Sequence, residues 1–208
     1  NFIKGYFQSY KYFLDYQDEI KKYVYIDNDK INLIKKLFSV YGKKILSIHI
    51  RLGDYIDFKD FHYNAPIEYY QNALSKYNLD EYQIILFSDN SKLADEKLKP
   101  LNINYIKADD LFTDDEYQFF MLLLSDVKIC AASTFSLMSC YFNDIFKFVD
   151  NCEYVFPEKW FGPSGPDYNM YDILDFNNEK YKIINSKKCA VIFFHKNIQK
   201  LYKKRWVD

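Results

Sequence analysis

Seven consecutive residues, His49-Ile50-Arg51-Leu52-Gly53-Asp54-Tyr55, gather the side chains of this sequence best suited to chemistry. The chain has 28 basic residues, and only two of them, Arg51 and Arg205, are arginine. It has three histidines and five glycines in 208 residues. His49, Arg51 and Gly53 therefore bring three scarce residue types together. A guanidinium is a planar fork of N–H donors that matches phosphate oxygens, whereas lysine is a point charge. In a chain that uses lysine almost everywhere, a position that still holds arginine is a candidate for that fork. Gly53 lets the chain turn sharply or lets a ligand approach its backbone. Asp54 accepts a bond from a hydroxyl or holds Arg51 in place. The competing reading is a salt-bridged turn, with Arg51 paired to Asp54 and His49 a core residue.

A second cluster is Ser133-Thr134-Phe135-Ser136. Small hydroxyl residues where a strand passes into a helix offer free backbone N–H groups and side-chain donors, an arrangement suited to phosphate. Plain capping of a helix whose Phe135, Leu137 and Met138 are core explains the same residues. Ser88-Asp89 is a third candidate, at the end of another expected strand. Asp27-Asn28-Asp29 has the Asp-x-Asp spacing that holds Mg²⁺ or Mn²⁺ against a diphosphate. Asp29 also stands where the following helix needs its N-cap, and capping needs no metal. The acidic residues Asp109, Asp110, Asp114, Asp115 and Glu116 read as a solvated loop and a favourable first helical turn. The sequence has no Gly-x-Gly-x-x-Gly, P-loop, His-Glu-x-x-His or Gly-x-Ser-x-Gly. No metal site is expected.

The elements that must position these residues alternate. Lys44 to Ile50 is a short apolar run, the pattern of a strand buried on both faces. Pro66 starts a helix to about Tyr77. Tyr82 to Phe87 is a second strand, and Ser91 caps a helix to about Leu98. Ile103 to Ile106 is a third strand. Thr113 and Glu116 form a capping box for a helix through Leu124. Val127 to Ala131 is a fourth strand, a helix begins near Phe135, and Ile145 to Val149 is a fifth strand. The fold class is α/β, a Rossmann-like parallel sheet with helices on both faces. Ligands of such sheets bind at the carboxyl ends of the strands, where both leading clusters fall. Residues 1–43 are helix-rich, with an amphipathic helix near Lys30 to Tyr41. Residues 151–185 read as irregular. Cys189 to His195 reads as a fresh strand and Lys196 to Val207 as a basic amphipathic helix.

Composition removes several function classes. A net charge of −1 gives no electrostatic footprint for nucleic acid or anionic membrane. With 49% hydrophobic and 20% aromatic residues the chain is not disordered. No apolar run reaches the roughly 20 residues of a membrane span. Cys130, Cys140, Cys152 and Cys189 form no Cys-x-x-Cys and read as reduced thiols. With no Asn-x-Ser/Thr either, the default location is cytoplasmic.

Five stretches, in order, resemble glycosyltransferase family 11, the α-1,2-fucosyltransferases. Gly5 to Ser9 with Tyr12-Phe13 looks like the family's GYFQSxxYF stretch, and His49 to Tyr55 matches its HxRxGDY signature. Phe87-Ser88-Asp89 is similar to its FSDD-like strand end. Ile129 to Asn143 resembles its xNSSFSWWxAxLN stretch, with Leu137-Met138 in place of aromatics. Pro157 to Trp160 looks like its PxxW. The family's earlier GGLGNQ segment has no counterpart here.

The resemblance implies the nucleotide-sugar-binding half of a GT-B-type enzyme. Its donor would be GDP-β-L-fucose and its acceptor a galactose-type hydroxyl of a glycan, with inverting transfer, no obligatory metal and no cofactor. On this reading Arg51, Asp54 and His49 are catalytic. Arg51, Gly53, Ser88, Asp89, Ser133, Thr134, Phe135 and Ser136 bind the donor, with Ser88 and Asp89 reaching the guanine or ribose. Residues 1–43 would be a remnant of the acceptor half and linker, 44–185 the GDP-sugar-binding domain, and 186–208 a βα unit that opens a following domain. Three alternatives stand beside it: a non-catalytic nucleotide-sugar-binding domain or fragment of a larger glycosyltransferase, a transferase using another nucleotide-activated sugar, and a purely structural α/β domain, which leaves the ordered motifs unexplained.

Overall fold

Alternate residues of the central strands are buried on opposite faces, so each strand must be covered on both sides. In the computed structural model, which describes residues 8–12, 14–165, 173, 181–184 and 191–192, helices supply that cover. Two helices, α1 (Gln17–Tyr23) and α2 (Asn28–Val40), precede the first strand. Strand β1 is Lys44–Ile50, followed by the five-residue α3 (Gly53–Asp57) and by α4 (Ile67–Leu74). Strand β2 (Tyr82–Ser88), α5 (Ser91–Leu98), β3 (Ile106–Lys107), α6 (Ala108–Leu111) and α7 (Asp115–Leu123) come next. Then follow β4 (Val127–Ile129), α8 (Thr134–Phe146), β5 (Glu153–Pro157), β6 (Tyr181–Ile184) and β7 (Val191–Ile192).

The sheet order is β3-β2-β1-β4-β5-β6-β7. Strands β1 to β6 are parallel and β7 is antiparallel to β6. On one face Leu46, Ile48 and Ile50 of β1 and Ile84 and Leu86 of β2 pack with Tyr69, Tyr70 and Ala73 of α4 and Leu98 of α5. On the other, Ile45, Ile85 and Phe87 pack with Ile31, Ile34 and Phe38 of α2, Phe120 to Leu123 of α7 and Leu124 at its C-cap. A further cluster joins Cys130 and Ala132, just past β4, and Tyr154 and Phe156 of β5 to Leu137, Cys140 and Tyr141 of α8. The α/β, Rossmann-like expectation holds. The chain runs outward from β1 through β2 to β3, then returns to place β4 on the other side of β1. The crevice opens at that reversal, between the carboxyl ends of β1 and β4.

Several local expectations are corrected. The run Ile145 to Val149 is not the fifth strand. Helix α8 continues through Phe146, because Leu137, Tyr141 and Ile145 keep one buried stripe at helical spacing, and it ends where Lys147 turns left-handed at φ 58°. Asn143 then bonds the backbone of Val149 in both directions, Nδ2 to the carbonyl and the amide to Oδ1, each at 2.9 Å. The fifth strand lies later, inside the stretch read as irregular, as does β6. Strand β3 is shorter and later than Ile103 to Ile106. Asn90, not Ser91, caps α5. Asp114, rather than a Thr113–Glu116 box, caps α7 through the amides of Glu116 and Tyr117. Asp27, not Asp29, caps α2 through the amides of Asp29 and Lys30. Cys130, Cys140 and Cys152 are buried free thiols. Gly5 to Phe7, Phe13, Cys189 and the basic helix expected over 196–207 lie outside the described residues.

Tyr69 fastens α4 beneath the crevice. Its hydroxyl donates to the carbonyls of Cys130 at 2.8 Å and Val155 at 2.9 Å, and the side chain is fully buried. Tyr69→Phe leaves the Cys130 carbonyl short of a partner, so urea unfolding should show a loss of about 1–2 kcal/mol. Unchanged stability would mean that the hydroxyl carries none of this attachment.

Candidate active site

At the carboxyl end of β1 the chain leaves the sheet at Ile50, whose register partner on β2 is Ser88. The next residue of β2's exit, Asp89, reaches across. Its Oδ1 accepts the Leu52 amide at 2.8 Å and its Oδ2 the Gly53 amide at 2.9 Å. The same Oδ2 lies 3.0 Å from Nε of Arg51. A carboxylate thus serves the first turn of α3 and also braces the arginine. This geometry explains the glycine, since a Cβ on residue 53 would stand 2.4 Å from Asp89 Oδ2. The close approach is that of a carboxylate to a backbone.

Asp54 holds the outer part of the fork. Its Oδ1 accepts from Nε of Arg51 at 3.2 Å and from Nη2 at 3.0 Å. The Arg51 side chain is 35% exposed, that of Asp54 52% and that of Asp89 20%. The pairing of Arg51 with Asp54 is the one a salt-bridged turn predicts. His49, however, is not the satisfied core residue that reading needs. It is buried, its ring lies 5.5 Å from that of Phe135, and its Nδ1 has no hydrogen-bond partner among the described residues. Burial lowers the His49 pKa from 6.5 to about 4; the Asp89 charge opposes the shift and the Arg51 charge adds to it. At neutral pH the imidazole is uncharged.

The opposite wall is the start of α8. Ser133 caps it, its Oγ accepting the Phe135 amide at 3.3 Å. Ser136 is buried and its hydroxyl donates to the carbonyls of Ala131 and Ser133, each at 3.2 Å. Those two hydroxyls are therefore committed to the turn. Thr134 is exposed and Phe135 half-buried. What this end of the helix offers is its backbone N–H groups and dipole. Ser88 is half-buried, and its Oγ accepts the Asn90 amide at 3.1 Å.

Tyr55 joins the two walls, a role the sequence did not reveal although the residue closes the leading motif. Its hydroxyl donates to the Ala132 carbonyl at 2.8 Å. Its ring stacks on His62 at 4.1 Å and lies 5.7 Å from Cζ of Arg51. Burial pushes the Tyr55 hydroxyl up to about 12, so it remains a donor. Behind it, the Asp60–His62 turn is clamped to the loop after β5. The Gly162 amide donates to the Phe61 carbonyl and the Ser164 amide to the Asp60 carbonyl, both at 2.8 Å. A Cβ at residue 162 would meet the Asp60 carbonyl oxygen at 2.5 Å. Beside that loop, Trp160 Nε1 donates to Gln8 Oε1 at 3.2 Å, physically linking two distant stretches singled out in the sequence.

The structure therefore brings His49, Arg51, Gly53, Asp54 and Asp89 into one constellation and sets the Ser133–Ser136 turn beside it through Phe135 and Tyr55. Asp27 is occupied as a helix cap. Among the described residues no group of three or more His, Cys, Asp or Glu side chains is arranged to hold a metal. An open depression of about 760 Å³, lined by residues that include Phe38, Lys44, Asp80 and Asp126, lies at the amino ends of β1 and β4, away from this crevice.

With that geometry in place, comparison with known proteins defines the class. The chain matches the model of glycosyl transferase family 11 over residues 1–147, and it belongs to that family. No curated protein matches it. Among solved structures it is similar to a glycosyl transferase of family 9 from Veillonella parvula, at 10% identity and a TM-score of 0.46. That similarity covers 89% of this chain and 46% of the other, so the chain spans less than half of that protein's length. No helix among the described residues is long and apolar enough to cross a membrane.

The neutral His49 has a measurable consequence. Below pH 6.5 the unfolded chain takes up a proton at this position that the folded chain resists until about pH 4. The stability associated with the neutral ring is complete above pH 6.5 and is lost as pH falls through that window, by on the order of 3 kcal/mol at most. Urea unfolding from pH 6.5 to 4.5 should show a steeper decline for the wild type than for His49→Gln. Parallel curves would show that His49 is not held neutral.

Proposed function

We propose that this chain is the donor-binding part of an inverting fucosyltransferase that takes GDP-β-L-fucose and delivers L-fucose to a galactose-type hydroxyl of a glycan in α-1,2 linkage. The observation that carries the reading is the position of Arg51. It stands at the carboxyl end of β1, across the strand-order reversal from the amino end of α8. Two sources of positive potential, a guanidinium fork and a helix N-terminus, converge on one crevice, which is what a diphosphate needs. Membership of a glycosyl transferase family supports a nucleotide-sugar donor and a glycan acceptor; the fucosyl donor and the linkage follow the motif resemblance.

In this mechanism the bond from fucose C1 to the β-phosphate oxygen breaks as the acceptor oxygen bonds to C1 from the opposite side. The leaving GDP gains negative charge as that bond breaks. Arg51 and the amides of Thr134 and Ser136 stabilise that charge without requiring a metal. Asp89 acts as a positioning residue: it fixes Nε of Arg51 and the Leu52-Gly53 backbone. His49, uncharged, is buried behind the same wall, and its Nδ1 has no hydrogen-bond partner among the described residues. Asp54, the more exposed of the two carboxylates on Arg51, takes the acceptor's proton. The transition state has oxocarbenium character, so leaving-group stabilisation contributes most of the acceleration and a weak base suffices.

Calorimetric titration of GDP, with UDP as control, tests the reading. The wild type should bind GDP in preference to UDP, and Arg51→Lys should weaken GDP by about tenfold or more, because a point charge replaces the fork. Equal affinity in wild type and Arg51→Lys would remove Arg51 from the diphosphate role.

A further inference from the structure

Arg51 carries one positive charge and is gripped by two carboxylates that are not equivalent. Asp89 is the committed partner: besides Nε it holds the amides of Leu52 and Gly53, and its side chain is only 20% exposed. Among the described residues the Asp54 carboxylate accepts hydrogen bonds from Arg51 alone; it is 52% exposed and occupies Nη2 as well as Nε. Nη2 belongs to the outer edge of the guanidinium, the edge that a doubly bonded phosphate uses. Two negative charges against one positive leave the free crevice with surplus negative charge. A diphosphate approaching that fork meets a carboxylate already in place, and like charges repel there.

We infer that Asp54 is an internal competitor of the donor's diphosphate: it occupies the outer edge of Arg51 in the free protein and yields it when the donor binds. The inference rests on the donor reading given above and concerns the regulation of that same site. The exchange requires little motion. Asp54 is the second residue of a five-residue helix, and rotating its exposed side chain clears the fork. Meanwhile Asp89 keeps Nε and both amides, so the guanidinium stays aimed while its outer edge changes partner. The competition screens ligands by charge, because a diphosphate outbids a single carboxylate for the fork and a weakly charged ligand does not. An exposed pair of this kind is weak, so the competition lowers donor affinity severalfold rather than by orders of magnitude.

The test is GDP titration of the full 208-residue chain as wild type, Asp54→Asn, Asp54→Ser and Arg51→Lys. Removing the competing charge should tighten GDP about three- to tenfold in both Asp54 variants. A merely structural Asp54 would weaken binding on substitution, so the direction of the change is diagnostic, and two variants guard against one that folds poorly. Unchanged or weaker binding in both, with the Arg51→Lys loss intact, overturns the competition and leaves the donor site standing. GDP that binds none of the four proteins overturns the donor reading and this inference with it.

Discussion

The carboxylate of Asp89 is the contact on which the rest of the site depends. It reaches from the end of β2 to the end of β1 and there accepts two backbone amides while pairing with Arg51. Each contact alone is ordinary. Together they decide where the chain turns after Ile50, why residue 53 has no side chain, and which way the guanidinium points. The parallel pairing of β1 and β2 makes this possible, because it brings Ser88 level with Ile50 and leaves Asp89 beside the exit of β1. Sheet register is thereby converted into the placement of one charged group.

Around that contact the fold adds rigidity in layers. Tyr55 ties α3 to the turn before α8, and the Asp60–His62 turn is sewn by backbone bonds to the Gly162–Ser164 loop. The crevice is therefore walled by three segments far apart in sequence. Burial keeps His49 uncharged, which leaves Arg51 as the cation of the β1 wall. The dipole of α8 faces it, and its capping hydroxyls are spent on its own first turn. A site built in this way holds its fork and its helix N-terminus in place before a ligand arrives, with the Asp54 carboxylate still on the outer edge of the fork.

The sheet and the leading constellation were legible in the sequence because they rest on strong local signals. Short apolar runs define β1, β2 and β4, and the scarcity of arginine singled out Arg51. What was not legible rests on tertiary context. The run from Ile145 to Val149 looks like a strand, yet it straddles a helix end, and only the pairing of Asn143 with the Val149 backbone shows why. The N-caps shifted by one or two residues because neighbouring Asp, Asn, Ser and Thr are locally equivalent. The use of Asp89 was invisible for a different reason: its partners, Leu52 and Gly53, are backbone amides more than thirty residues away. Ser133 and Ser136 were legible as small hydroxyl residues at a helix start, but only the folded turn brings their hydroxyls onto its own amide and carbonyls.

The most direct measurement is amide hydrogen exchange in wild type and Asp89→Ala. If the carboxylate organises the end of β1, exchange at Leu52 and Gly53 should accelerate by about tenfold or more in the variant, while Ile48 and Leu86 inside the sheet keep their protection. Equal protection of Leu52 and Gly53 in both proteins would contradict that dependence and return the shape of the site to the turn's own geometry.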